Sequence, residues 1–140
     1  RGRLLGLVGA DAEAFGPLAA AYRMPKDTLE QLEAKQAAIQ DALVGATEVP
    51  LDIMRTAAAF LEHADFLARN GSRMARSDAG VSVAFARAAV DGASLNVYIN
   101  AASIDDAERA ARYRDEADRL VAQTREHCDE VFAFVKDAIS

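Results

Sequence analysis

Asp11 stands among Leu7, Phe15 and Leu18 at spacings of three and four, so a carboxylate interrupts an otherwise apolar helical stripe. A carboxylate held among apolar groups has a raised pKa, which suits a general acid or base working near neutral pH. The same residue equally suits a structural role, partly solvated or paired with a neighbouring helix. A second set, Asp78, Ser82, Ala89, Gly92, Asn96 and Asn100, recurs at steps of three, four and seven and so shares one helical face. Asn96 and Asn100 place two amides one turn apart on a segment whose composition predicts burial. Buried amides need partners, and either a polar heterocycle with amide-like edges or a neighbouring backbone would supply them.

Weaker candidates surround these. The stretch Gly71–Asp78 reads as a loop carrying Arg73 and Arg76, either receiving an anion at the start of the next helix or forming a solvated turn that ends in a cap at Ser77. Lys26, directly after Pro25, is either an electrostatic stabiliser or a surface lysine. His63, between Phe60 and Phe66, is expected to face inward. His127 and Cys128 are adjacent in sequence and point about 100° apart on a helix, a poor arrangement for a nucleophile and its base. Neither histidine has a second metal-binding side chain at i+4, and no metal is assigned.

The elements that must position these groups follow from periodicity and punctuation. Leu4, Leu7, Val8, Phe15, Leu18 and Tyr22 predict a first helix over about 2–22, closed by Met24-Pro25. The leucine spacing begins at once, with no cap and no initiator Met, and predicts that residues precede Arg1. Leu29, Leu32, Ile39 and Leu43 predict a second helix over 26–44. Pro50 fits the first turn of a third, which runs to about Ala68 and stops at Asn70-Gly71 in a left-handed cap. The fourth, from Asp78 to about Ala101, is apolar nearly all round, with Gly80, Ala84, Ala88, Gly92 and Ala93 permitting close approach of other backbones. Such a helix belongs at the centre of a bundle or at a subunit interface. The last runs from Asp105-Asp106 to Ile139, with Ala107, Ala110, Ala117, Val121, Thr124, Cys128, Val131, Val135 and Ala138 on its packing stripe and mostly solvated charges opposite. No segment alternates with period two. The expected fold is all-α: an antiparallel helical bundle with a central Ala/Gly-rich helix, its N-terminal segment missing.

Composition bounds the rest. A chain of 140 residues with 51% hydrophobic residues, no Trp and three Pro suits one helical domain over residues 1–140. A net charge of −6 argues against general binding to nucleic acid or to an anionic membrane surface. One cysteine excludes an internal disulfide framework, and no apolar run reaches the roughly 18 to 20 residues that span a bilayer. A cytoplasmic location is expected.

Taken together, the motifs resemble one family. They are Asp11-Ala12-Glu13-Ala14-Phe15, Ala21-Tyr22-Arg23-Met24-Pro25-Lys26, Glu48-Val49-Pro50, and above all the run SDAGVSVAFARAAVDGASLNVYIN from Ser77 to Asn100. Their order and spacing, over about residues 4–139, resemble formimidoyltetrahydrofolate cyclodeaminases and methenyltetrahydrofolate cyclohydrolases. The resemblance implies a small all-helical enzyme, a homodimer, acting on a reduced folate that carries a one-carbon unit, with no cofactor beyond this tetrahydrofolate substrate. It implies proton shuttling by Asp11, a positive charge from Lys26 near the folate, and orientation of substrate by Ser77, Asp78, Asn96 and Asn100. Two positions depart from the family pattern: Ser72 and Met74 stand where asparagines are usual. The family's glycine-rich N-terminal segment also has no counterpart. A non-catalytic helical module that binds folate or mediates dimerisation is the alternative reading.

Overall fold

The structure, a computed structural model, describes residues 15–140. It contains α1 (15–22 within the described range), α2 (Leu29–Asn70), α3 (Arg73–Ala101) and α4 (Ala107–Ile139). The described residues contain no strand, and the all-α expectation holds. α3 packs lengthwise on both α2 and α4, which touch each other over a smaller area. Asp11 lies outside the described residues.

The expected second and third helices are one. α2 runs unbroken through Pro50, which sits in the helix interior and not in a first turn. An interior proline removes one backbone hydrogen bond, crowds the carbonyl four residues earlier, and typically costs about 3 kcal/mol. The crowded carbonyl here is that of Ala46, and α3 supplies it with a substitute partner: Asn100 Nδ2 donates to Ala46 O at 3.0 Å. Three residues before the proline, the fully buried Thr47 returns its hydroxyl to Leu43 O at 2.6 Å. Local sequence alone would break the helix here, and a tertiary hydrogen bond carries it across.

The helix ends are capped by side chains. Thr28 Oγ1 accepts from Gln31 N at 3.1 Å, and Gln31 Oε1 accepts in return from Thr28 N at 3.2 Å, forming a capping box for α2. α3 begins at Arg73 with Ser72 as its cap, accepting from Ala75 N at 3.2 Å. The expected start at Asp78 and cap at Ser77 are therefore one and a half turns too late. Gly71 has φ −80°, so the expected left-handed stop is absent. A glycine is needed for a different reason: a Cβ there would lie 2.5 Å from Leu67 O and 2.9 Å from the Ala75 side chain. α4 starts at Ala107 with Asp106 as its cap, accepting from Arg109 N at 3.1 Å. Gln40 clasps the α3–α4 connection with both ends of its amide, donating to Ser103 O at 3.1 Å and accepting from Asp105 N at 2.9 Å.

Two buried clusters fill the bundle. One centres on Leu43, Leu51, Met54, Val90, Val97 and Ala117. The other centres on Leu61, Ala64, Val83, Cys128 and Val131. Alanines recur at helix contacts, among them Ala57, Ala64, Ala86, Ala93, Ala110 and Ala117, so the backbones approach closely. Gly80 also sits at a close contact, since a Cβ there would meet Val135 Cγ1 at 2.9 Å. The α4 stripe matches expectation at Ala110, Ala117, Thr124, Cys128, Val131 and Val135 and also takes in Tyr113, whereas Ala107 and Ala138 are exposed. Phe15 and Tyr22, expected on the packing stripe of the first helix, are exposed, and Leu18 and Ala21 take the buried positions.

Candidate functional site

The candidate residues of α3 occupy its two ends. Ser77 is half-buried and Asp78 exposed near the N-terminus, while Asn96 is exposed and Asn100 half-buried near the C-terminus. At 1.5 Å per residue, Asp78 lies about 27 Å from Asn96 and about 33 Å from Asn100 along the axis. One chain therefore does not bring these four residues to one small ligand. The expected burial of Asn96 is overturned, because the residues that face α2 and α4 are Val90, Ala93, Ser94 and Val97. Asn100 finds its partner in the neighbouring backbone at Ala46, the second of the two partners weighed for it. Lys26 is exposed in the connection between α1 and α2.

The expected arginine loop is the first turn of α3, and its arginines serve helix ends. Arg73 Nη2 donates to Ile139 O at the end of α4 (2.7 Å), and Arg76 Nη2 to Arg69 O at the end of α2 (3.2 Å). Positive charge suits helix C-termini. Arg69 itself lies over the Phe134 ring, 4.8 Å from its centre. His63 is exposed on α2 and does not face inward as expected. Cys128 is buried with its thiol against Val83 O at 3.3 Å, and burial pushes its pKa up.

Grooves run between α3 and α4. One, of about 520 Å³, is walled by Ser77, Val81, Phe85, Phe132 and Val135, with Lys136 at its edge. Another, of about 590 Å³, lies beside Asp91, Leu95, Tyr98, Asp118 and Arg125. In the second, Tyr98 donates to Asp118 at 2.5 Å, and Arg125 donates to Asp91 at 3.3 Å. Burial, and then the carboxylate acceptor, push the Tyr98 hydroxyl up to about 12. Ser77 lines the first of these grooves directly.

A polar cluster that sequence reasoning missed joins α2 to α4 beside Pro50. Arg55 donates to both oxygens of Glu116, at 2.6 and 2.7 Å, and to Asp52 at 3.0 Å, with Glu48 3.6 Å away. Tyr113 donates to Glu48 at 2.9 Å. The Arg55 contact holds the Glu116 carboxyl below its usual range, and burial followed by the Glu48 contact pushes Tyr113 up to about 12. The only sequence signal was an acid–Arg pair three residues apart, Asp52 and Arg55, which is common on helix surfaces. No cluster of three His, Cys, Asp or Glu side chains among the described residues is arranged to hold a metal, and no described helix is long and apolar enough to cross a membrane.

The formiminotransferase-cyclodeaminase family model matches residues 1–119. A methenyltetrahydrofolate cyclohydrolase from Methylorubrum extorquens is 36% identical over 140 residues, which cover 100% of this chain and 67% of that protein. A formimidoyltransferase-cyclodeaminase from Sus scrofa is 34% identical over 123 residues, 88% of this chain but 23% of that one. The crystal structure of a formiminotetrahydrofolate cyclodeaminase from Thermotoga maritima superposes with a TM-score of 0.81 at 23% identity, covering 96% of this chain and 63% of that one, which shows a shared fold. The chain thus spans about two thirds of the cyclohydrolase and under a quarter of the porcine protein. A family model covering most of its length and a relative aligned along all of it place one conclusion beyond the fold: this chain belongs to the formiminotransferase-cyclodeaminase family.

Proposed function

We propose that the protein is an enzyme of folate one-carbon chemistry that opens methenyltetrahydrofolate with water to give a formyl derivative. The observation that carries this reading is the alignment of the whole chain with a methenyltetrahydrofolate cyclohydrolase. In the reaction, water adds to the bridging carbon between two folate nitrogens, giving a tetrahedral carbon. One carbon–nitrogen bond then breaks and the nitrogen that leaves takes up a proton. A positioned acid/base group serves both proton movements, and Asp11 is our choice for it. Lys26 supplies positive charge near the folate, while Ser77, Asp78, Asn96 and Asn100 orient the pterin or the one-carbon unit. The working unit is a homodimer in the cytoplasm.

A second reading has its own support. Cyclising deamination of a formimino group passes through a tetrahedral carbon of the same kind, and the formimidoyltransferase-cyclodeaminase of Sus scrofa is 34% identical over 123 residues. The test follows methenyltetrahydrofolate absorbance with the complete protein, corrected for uncatalysed hydrolysis. Protein-dependent loss that falls at least tenfold in Asp11→Asn supports the hydrolase. Loss unchanged by that substitution removes Asp11 from the role. No loss, together with ammonia release from the formimino substrate, establishes the second reading.

A further inference from the structure

Asn70-Gly71 is the one Asn-Gly pair in the chain, whereas Asn96 and Asn100 precede Val97 and Ala101. Glycine has no Cβ to shield its backbone nitrogen, so that nitrogen can reach the side-chain amide of a preceding asparagine where a larger residue blocks the approach. The pair stands at the exit of α2. Asn70 is the last residue of the helix and is exposed, and Gly71 is its cap. A helix end of this kind opens far more readily than a helix interior.

In the closed corner both reacting groups are engaged elsewhere. Asn70 Nδ2 donates to Phe66 O at 3.0 Å, and the Gly71 N–H donates to Leu67 O at 2.9 Å. Each satisfies a carbonyl that the helix end would otherwise leave without a partner. The leaving amide and the attacking nitrogen are freed together only when the last turn of α2 unwinds. Arg76 resists that unwinding from α3, donating through Nη2 to Arg69 O at 3.2 Å.

We infer that Asn70 is a site of spontaneous deamidation, gated by opening of the α2–α3 corner. In the open corner the Gly71 backbone nitrogen gives up its proton and bonds to Asn70 Cγ. The Cγ–Nδ2 bond breaks, and ammonia leaves with that proton. The cyclic imide then takes up one water. Opening at the side-chain carbonyl leaves aspartate, and opening at the backbone carbonyl leaves isoaspartate, with the side-chain methylene now in the main chain. Either product weakens the corner that formed it. A carboxylate cannot donate to Phe66 O, and it places negative charge at a helix C-terminus. Isoaspartate also lengthens the chain where packing is so close that a Cβ on Gly71 would lie 2.5 Å from Leu67 O. Ser77 and Asp78 lie within the first two turns of the helix that follows.

Asp91-Gly92 provides the contrast. Aspartate forms the same imide by losing water, but this pair lies in the interior of α3, and it stays unreacted.

The test incubates the complete protein at neutral pH, beside a peptide spanning Leu67–Ala75, and maps both by mass spectrometry. Conversion is expected at Asn70 about tenfold more slowly than in the peptide, with Asn96 and Asn100 intact. Arg76→Gln frees Arg69 O and raises the rate about threefold with helical circular dichroism unchanged, and urea below the global transition raises it likewise. The deamidated protein, separated by anion exchange, has a lower urea midpoint than the parent. Asn70 still intact after about a hundred peptide half-lives overturns the site. Conversion as fast as in the peptide, or a rate indifferent to both Arg76→Gln and mild urea, overturns the gating. An unchanged urea midpoint overturns the weakening of the corner.

Discussion

If Asn100 replaces the partner that Pro50 denies to Ala46 O, the two residues are energetically coupled, and a double-mutant cycle measures the coupling. Asn100→Ala removes a 3.0 Å hydrogen bond and leaves a carbonyl with neither a helical nor a side-chain partner. A lost bond of this kind plus an unsatisfied, half-sheltered acceptor costs about 1–2 kcal/mol. Pro50→Ala gives residue 50 an N–H directed at Ala46 O, so in that background the Asn100 amide is redundant and its removal costs about 0.5 kcal/mol or less. The coupling is therefore about 1 kcal/mol, within the range measured for residues that share a partner. Urea denaturation followed by circular dichroism at 222 nm resolves a difference of this size. In a thermal scan the Asn100→Ala change lowers Tm by about 4 °C for each kcal/mol in a domain of this length. Equal costs of Asn100→Ala in the two backgrounds would refute the argument, because the amide would then act on something other than the proline break.

Other outcomes follow from contacts already described. Gly71→Ala drives a Cβ to 2.5 Å from Leu67 O, so the α2–α3 corner must shift, and a loss of about 1–3 kcal/mol is expected in the same denaturation assay. Glu116 has its folded pKa lowered by Arg55, so its contribution is present above the ordinary carboxylate value of 4.5 and is lost as pH falls through the folded value. Glu116→Gln therefore flattens the acid limb of a stability–pH curve, and an unchanged limb would exclude this ion pair as a source. Tyr98 and Tyr113 titrate near 12 when folded and near 10 when unfolded, so the native state loses stability between those values as the unfolded chain ionises first. Tyr98→Phe reduces that alkaline loss, and absorbance at 295 nm reports the late ionisation directly. Cys128 reacts with a thiol reagent only as fast as the bundle opens, since its thiol is buried against Val83 O.

Legibility in the sequence divides along physical lines. Alanine at steps of three and four marks α3 and α4 because periodicity depends only on which face is covered, and Ala110, Ala117, Cys128 and Val131 are buried as their spacing requires. The break read at Pro50 was a sound local inference that lost to a tertiary contact: the amide that bridges it is 54 residues away in the chain. The start of α3 was misplaced because Ser72 and Ser77 are equal as caps in isolation, and what decides between them is the docking of Arg73 and Arg76 on the ends of α4 and α2. Asn96 read as buried because its helix is apolar on both sides, and sequence cannot say which apolar side meets its own chain. The residues proposed for the site on α3 rest on spacing and motif. Their separation of about 27 to 33 Å already follows from the helix expected between Asp78 and about Ala101, and the observed α3 keeps it. Asp11 lies outside the described residues, and its role rests on sequence and family alone.

The alanines at the helix contacts constrain how this protein can change over generations. An alanine has no rotamer to adjust, so a larger residue at Ala64, Ala86 or Ala117 cannot be absorbed by local repacking and must push a whole helix outward. The spacing of the bundle is then inherited nearly as a fixed dimension, and drift in it is selected against as a unit. Variation in what the grooves accept is left to their outer walls, at Val81, Phe85 and Phe132, where a side chain can lengthen without moving a backbone. Divergence among such chains should accordingly run fast on the rim and slowly on the smallest residues of the interior.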